Sequence, residues 1–471
     1  MKKRFPISLL LFAGVFCVSQ LAQPYTLIQL ENQGLFLLTP DWFREVLGGS
    51  RPLSELVGSF LVQFYDIPVV GALLAAAVIT LIYWGEDLFL RRCRVPFHRI
   101  ASLLTALVCW ALTARLDSNI PAVRVMLAAV ALGLLSLLIK PRIEGAAPKW
   151  ELPAAVAAVL LAAGFVAGNP GIRNTERLAS VQVNARRHRW DKVLKVATPE
   201  ASAADPRLMP FALLAEGEKG TLGDRLFHYP VSGPQDFDME GDNSLTGCLF
   251  NSLLSESLGV PNEAIHHIFQ YSCHLPHGMS HLSLYQLIRY NVAGGNYTLA
   301  RKYAGILRRN PKNFRAAGGI LRRIASAADA ADTLGHSSAT ARMVTNNPQY
   351  NLAQMHLLGM GSDISVDRFL CYQLLQGDVE GFRQSYEALG KRSGSIPVHY
   401  QEALLLAGAD PSTPGISEER ARRFSAFMSA MSSMNNPAVE SAAKGTYWEY
   451  YLKIQDQEFA GDDSDLSYPS S

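Results

Sequence analysis

Apolar positions crowd into the first third of the chain, and polar positions with helical spacing fill the rest. Five runs stand out: Ile7 to Ala22, Ile67 to Gly85, Ile100 to Leu116, Val123 to Ile139 and Leu152 to Ala167. Each approaches the ~17 to 25 apolar residues that a helix rising ~1.5 Å per residue needs to cross the hydrocarbon core of a bilayer. The pattern predicts an all-α protein, with about five transmembrane helices in residues 1–168 and a soluble helical domain over 169–455. Segment 456–471 is acidic and serine-rich without an apolar face, and is expected to be a disordered tail.

The first run follows Lys2-Lys3-Arg4, as a signal peptide would. Gln20-Leu21-Ala22 offers only the last of the two small residues a cleavage site wants, and Phe16 before Cys17 does not fit a lipobox, so the segment reads as an uncleaved signal anchor. Lys and Arg beside a span resist translocation. Lys2-Lys3-Arg4, Arg91-Arg92-Cys93-Arg94 with Arg99, and Lys140-Pro141-Arg142 with Lys149 then fall on one side of a five-span bundle. The amino terminus is expected in the cytoplasm, and loop 24–66 and the soluble domain outside. Arg173, Arg177 and Arg186-Arg187-His188-Arg189 pull the other way, but they introduce a long domain, whose translocation depends weakly on charge.

Glu86, Asp87, Arg115 and Arg124 stand at span ends and none stands at a span centre, which argues against ion-coupled transport. Gly71, Gly133 and Gly164, with many alanines, predict helix packing through small residues. The outer loop 24–66 interleaves Glu31, Asp41, Arg44, Glu45 and Glu55 with Leu35-Phe36-Leu37-Leu38 and Trp42-Phe43. Within it Leu53, Leu56, Val57, Phe60, Leu61 and Phe64 recur as in an interfacial helix.

Beyond the membrane part the pattern is helix after helix. The clearest pair runs from Leu282 to Pro311 around Gly294-Gly295-Asn296, a second joins Arg368–Leu375 to Val379–Leu389 around Gln376-Gly377-Asp378, and a weaker one centres on Arg189-Trp190-Asp191. These pairs resemble tetratricopeptide-like hairpins, without a strict period and with Phe382 where the repeat prefers a small residue. In its layout, and in Gly58-Ser59-Phe60-Leu61-Val62-Gln63-Phe64-Tyr65 and Thr446-Tyr447-Trp448-Glu449-Tyr450-Tyr451, the whole chain resembles an uncharacterised membrane-protein family of Bacteroidota. That resemblance implies no activity.

Composition adds little, since 49% hydrophobic residues and a mean hydropathy of +0.09 average two unlike halves. A net charge of +2 argues against nucleic acid as a partner. Of eleven histidines, five (His266, His267, His274, His277 and His281) lie in one stretch with Cys273. Pro276 and Gly278 break the helix that would align them, and no Cys-x-x-Cys or His-Glu-x-x-His motif accompanies them, so no metal site is assigned. Cys248 and Cys273 are placed to pair or to remain free thiols. No nucleophile elbow or phosphate loop is present, and Gly390-Lys391-Arg392-Ser393-Gly394 is a loop after a helix. No catalytic, metal-binding or cofactor-binding residue is therefore assigned.

The favoured expectation is a multi-pass scaffold of a bacterial inner membrane, in contact with the lipid bilayer, whose helical repeats bind a protein or peptide in the cell envelope. The alternative is a membrane enzyme acting on a lipid-linked glycan or similar substrate, with Glu31 and Asp41 of the outer loop at its site.

Overall fold

The computed structural model describes residues 5–116, 118–139, 148–239, 241–334, 348–357, 362–389 and 395–462. Among them all regular structure is helical. The chain divides into two compact units, one made of Met1–Val183 with Ile268–Ser338 and the other of Asn184–His267 with Ala339–Ser471. This differs from the expected boundary at 168/169: the helix pair His281–Ala293 and Tyr297–Leu307 belongs to the same unit as the apolar bundle. The reason is a set of hydrogen bonds from that pair to the outer loop, described below.

Among the described residues three helices are long and apolar enough to cross a membrane: Val70–Arg92, Ile120–Leu138 and Glu151–Gly168. A fourth candidate is the pair Pro6–Ala22 and Pro24–Gln33, bent by 83°. The expected span over Ile100 to Leu116 is corrected to the 16-residue helix His98–Thr113, whose ~24 Å falls short of a ~30 Å hydrocarbon core. Residues 1–4, 117 and 140–147, which carry two of the three basic clusters used for orientation, lie outside the described residues.

Ile7, Leu11 and Val15 of the first helix pack with Ile79, Ile82, Leu103, Trp110, Val123 and Val159 in one buried cluster. Small residues set the spacing. A Cβ on Gly85 would lie 2.4 Å from the carbonyl carbon of Ala129, and one on Gly133 would lie 2.8 Å from the Gly85 oxygen. Helices Val70–Arg92 and Ile120–Leu135 therefore meet backbone to backbone, as small-residue crossings allow. Gly71 is equally confined by Tyr65, whereas Gly164 has nothing within 4 Å of its Cβ position and serves no such contact. Leu81, Trp84, Leu104, Val108, Leu160, Leu161 and Phe165 are exposed on these helices. At one end of the bundle, polar contacts join the helices: His98 Nδ1 is hydrogen-bonded to Asp87 Oδ1 at 2.6 Å, and Arg99 forms a buried ion pair with Glu151 at 3.1 Å.

The second unit is built from helix pairs. Trp190–Val196 packs on Met209–Glu218, and Asp363–Leu375 on Val379–Leu389 through a turn in which Gly377 takes φ 71°. Phe382, which interrupts the repeat pattern, is fully buried against Tyr386 and Tyr400. Helix Tyr447–Asp462 continues six residues past Asp456, where the tail was expected to begin. Tyr447, Trp448 and Tyr450 bury its first turn, and Lys453 pairs with Glu449 one turn back at 2.7 Å. Residues 463–471 lie outside the described residues.

Candidate functional site

Two polar features merit a functional reading, one in each unit. In the first unit the outer loop closes onto the segment that follows Pro276. Helix Pro24–Gln33 starts at Gln23, whose Nε2 donates to the Ala114 oxygen. Its free amino-terminal N–H groups are satisfied by a distant carboxylate: Tyr25 N and Thr26 N donate to Glu176 at 2.9 and 2.8 Å. Glu176 thereby fixes the bend, and Glu31 is carried to the far end of the short helix.

There Glu31, 5% exposed, meets Lys312, whose Nζ lies 3.0 Å from its Oε1 and also contacts Asp66. Asn310 Nδ2 donates to the Phe36 oxygen at 2.8 Å and to Gln63 Oε1 at 3.1 Å, while its Oδ1 accepts from Asn313 N. Main-chain bonds run from Leu38 N to the Arg309 oxygen and from His281 N to the Gly34 oxygen. His281 is 1% exposed, and burial reinforced by the charge of Lys312 pushes its pKa down to about 3, so the ring is neutral. His277 lies between two carboxylates, Nδ1 2.9 Å from Glu45 and Nε2 3.0 Å from Glu55.

The two carboxylates of the enzyme expectation are thus differently placed. Glu31 is held in a buried ion pair, and Asp41 is on the surface, its side chain 89% exposed beside Arg44. Each is matched by its own cation, Lys312 for Glu31 and Arg44 for Asp41. Helix Pro52–Val62 turns Ser54, Gly58 and Ser59 inward and leaves Leu53 and Phe60 exposed. The histidine stretch is dispersed. His266 and His267 contact each other, His277 and His281 are engaged as above, and no three His, Cys, Asp or Glu among the described residues are arranged to hold a metal ion. Cys248 is buried and Cys273 is exposed, and no disulfide joins them.

In the second unit an open groove of about 1000 Å³ runs along helices Asp363–Leu375, Val379–Leu389 and Val398–Leu406 and the loop 407–415. Its aromatic wall is Tyr386 and Tyr400. Gly223 allows the wall to close, because a Cβ there would lie 2.8 Å from Pro397 and 2.9 Å from Tyr400. Tyr400 OH donates to Asp367 Oδ1 at 3.1 Å and lies 3.4 Å from Cys371 Sγ, and burial pushes both the phenol and the thiol well up. Asp224 caps helix Val398–Leu406 by accepting from Val398 N at 2.7 Å. On the rim Arg383 holds Glu380 by two hydrogen bonds of 3.0 and 2.6 Å and reaches Glu387 at 3.3 Å, and with Gln384 it keeps the Glu380 carboxyl down at about 2. Loop 390–394 lies outside the described residues.

Sequence reasoning missed Lys312 and the groove carboxylates because neither stands in a motif. Asn310-Pro311-Lys312-Asn313 carried one usable signal, two asparagines around a helix-ending proline, which is a common way to satisfy loop backbone. The Thr446–Tyr451 stretch is core: Trp448 Nε1 donates to the Glu402 oxygen, and Tyr447 N to the carboxylate of Glu402, itself paired with His399 and Arg420. No curated protein and no solved structure matches the chain. A family description matches residues 1–173 and again 172–454, nearly the whole length, and on that match the chain belongs to the family of unknown function DUF6057.

Proposed function

We propose that this protein is a membrane-anchored helical scaffold that binds a protein or peptide partner in the cell envelope of a Bacteroidota bacterium. The observation that carries the reading is the open groove on the helix pairs of the second unit. Its volume is at the upper end of the ~300 to 1,000 Å³ of small-ligand pockets, and its walls are helix faces, as in stacked tetratricopeptide-like hairpins that hold extended peptides. The exposed apolar side chains of the long helices support a place in the bilayer. The ion-paired state of Glu31 and Asp41 weighs against catalysis by the outer loop.

Two measurements test this. Reporter fusions after Arg94 are expected to behave as cytoplasmic and fusions after Gly217 as extracytoplasmic. A photo-crosslinking residue at Thr413, on the groove, is expected to yield a discrete adduct in intact cells that the same residue at Met434, 88% exposed and not part of the groove lining, does not. Absence of any groove-specific adduct, together with loss of the cellular phenotype on Asp41→Asn, would replace the scaffold with the membrane-enzyme reading.

A further inference from the structure

A separate cavity lies within the first unit, at the end of the apolar bundle where helix Phe5–Ala22 stops and Val70–Arg92 begins. It is open, with a volume of about 80 Å³. Its lining grades from polar to apolar. Gln23, Thr26, Ser118 and Asn119 stand at or beyond the helix ends, Ser19 about one turn further in, and Val15, Val78 and Ile79 about two turns in.

Most of the polar rim is already engaged. Gln23 donates to the Ala114 oxygen, Thr26 to Glu176 at 2.6 Å and Asn119 to the Gly58 oxygen at 3.0 Å. Ser19 differs: it is 4% exposed, yet its hydroxyl makes no hydrogen bond among the described residues. Other hydroxyls of the same bundle donate to the carbonyl one turn back, as Thr80 does to Ala76, Ser102 to His98 and Thr113 to Cys109. A buried hydroxyl without an acceptor is costly, so the position suits an acceptor brought by a ligand. Water meets only half of the need, because a buried water wants about two to four polar contacts and the walls at Val15, Val78 and Ile79 supply none. The space is also well below the ~300 Å³ at which small-ligand pockets begin, which excludes a compact ring system but admits the end of one chain.

We infer that this cavity takes the acyl chain of an ester lipid, with the chain against Val15, Val78 and Ile79 and the ester carbonyl accepting from Ser19. The inference rests on the bilayer placement in the reading above and not on the groove. Ordinary bilayer lipid would instead touch Leu104 and Leu161, which are 49% and 74% exposed.

The test uses the full chain in phosphatidylcholine nanodiscs and two photoactivatable probes, a monoacylglycerol with a diazirine in its chain and a phosphatidylcholine carrying the same chain. Adducts are located by peptide mass spectrometry. Labelling is expected at Val78 or Ile79 as well as at Leu104 and Leu161. A cavity adduct confined to the monoacylglycerol names a single-chain lipid as the source, and one formed equally by the phosphatidylcholine probe names a bilayer phospholipid. Ala75→Phe, which fills the cavity from a half-buried wall position, should cut cavity labelling at least about tenfold and leave Leu161 labelling unchanged. Ser19→Ala should cut it roughly twofold to tenfold, but by less than about twofold for an ether-linked probe that has no carbonyl. No cavity labelling by either ester probe while Leu161 is labelled, or cavity labelling that either variant leaves undiminished, overturns the inference and spares the bilayer placement. Absence of labelling at Leu104 and Leu161 as well overturns both.

Discussion

Lys312 and Glu31, 281 positions apart in the chain, form an ion pair, Nζ to Oε1 3.0 Å, and Asp66 shares the same ammonium. The pair holds the end of helix Pro24–Gln33 to the segment that follows Tyr297–Leu307. Replacing Lys312 with Met would leave the buried Glu31 carboxylate facing Asp66 without that ammonium, and is expected to cost ~3 to 5 kcal/mol. Adding Glu31→Gln should recover a large part of it. Thermal melts of the two variants in detergent decide the matter, and additive losses would dismiss the pairing.

Asn310 is fully buried and spends both ends of its amide, donating to Phe36 and Gln63 and accepting from Asn313. Asn310→Leu keeps the number of side-chain heavy atoms but has neither donor nor acceptor, so a loss of at least about 1 to 3 kcal/mol is expected. Limited proteolysis should then find new cleavage within residues 34–39, where the Phe36 carbonyl has lost its donor.

Two glycines in the apolar helices should respond oppositely to alanine. At Gly85 the new Cβ would lie 2.4 Å from the backbone of Ala129, so Gly85→Ala is expected to lower the melting temperature through overpacking. At Gly164 there is open space, and Gly164→Ala should be neutral or raise stability by up to ~1 kcal/mol from helix propensity. Equal effects would count against the close crossing.

His281 makes stability depend on acid. Its pKa falls from an ordinary 6.5 to about 3 on folding, so between those values the unfolded chain binds a proton that the folded chain does not. Stability from this ring is whole above the ordinary value and is lost as pH drops toward 3, by about 1.4 kcal/mol per pH unit. His281→Gln should flatten the melting temperature between pH 6 and pH 4 relative to the parent. An unchanged slope would show that other groups govern it.

The helix pair at 281–307 was readable residue by residue, because Ser280 caps the first helix and Gly294-Gly295-Asn296 breaks it where the apolar spacing stops. Its membership in the apolar unit was not, since Lys312 and Asn310 find their partners through space and no periodicity marks a partner far along the chain. The apolar runs were legible as helices but not as spans: hydropathy does not report the 83° bend after Ala22 or the early end at Thr113. The groove stayed hidden because its carboxylates come from three separate segments, each with an ordinary surface composition.

The discontinuous make-up of the first unit sets a timetable for synthesis. Glu31 and Gln63 emerge long before Lys312 and Asn310, and at ~5 to 20 residues per second the interval is roughly 14 to 56 s. For that time the outer segment holds a carboxylate and a set of backbone groups whose partners have not yet been made. A nascent chain stalled before Asn310 is therefore expected to be an open, protease-sensitive species even with every apolar helix already in place, and completion of the unit reports whether the ribosome has passed the codon for Lys312.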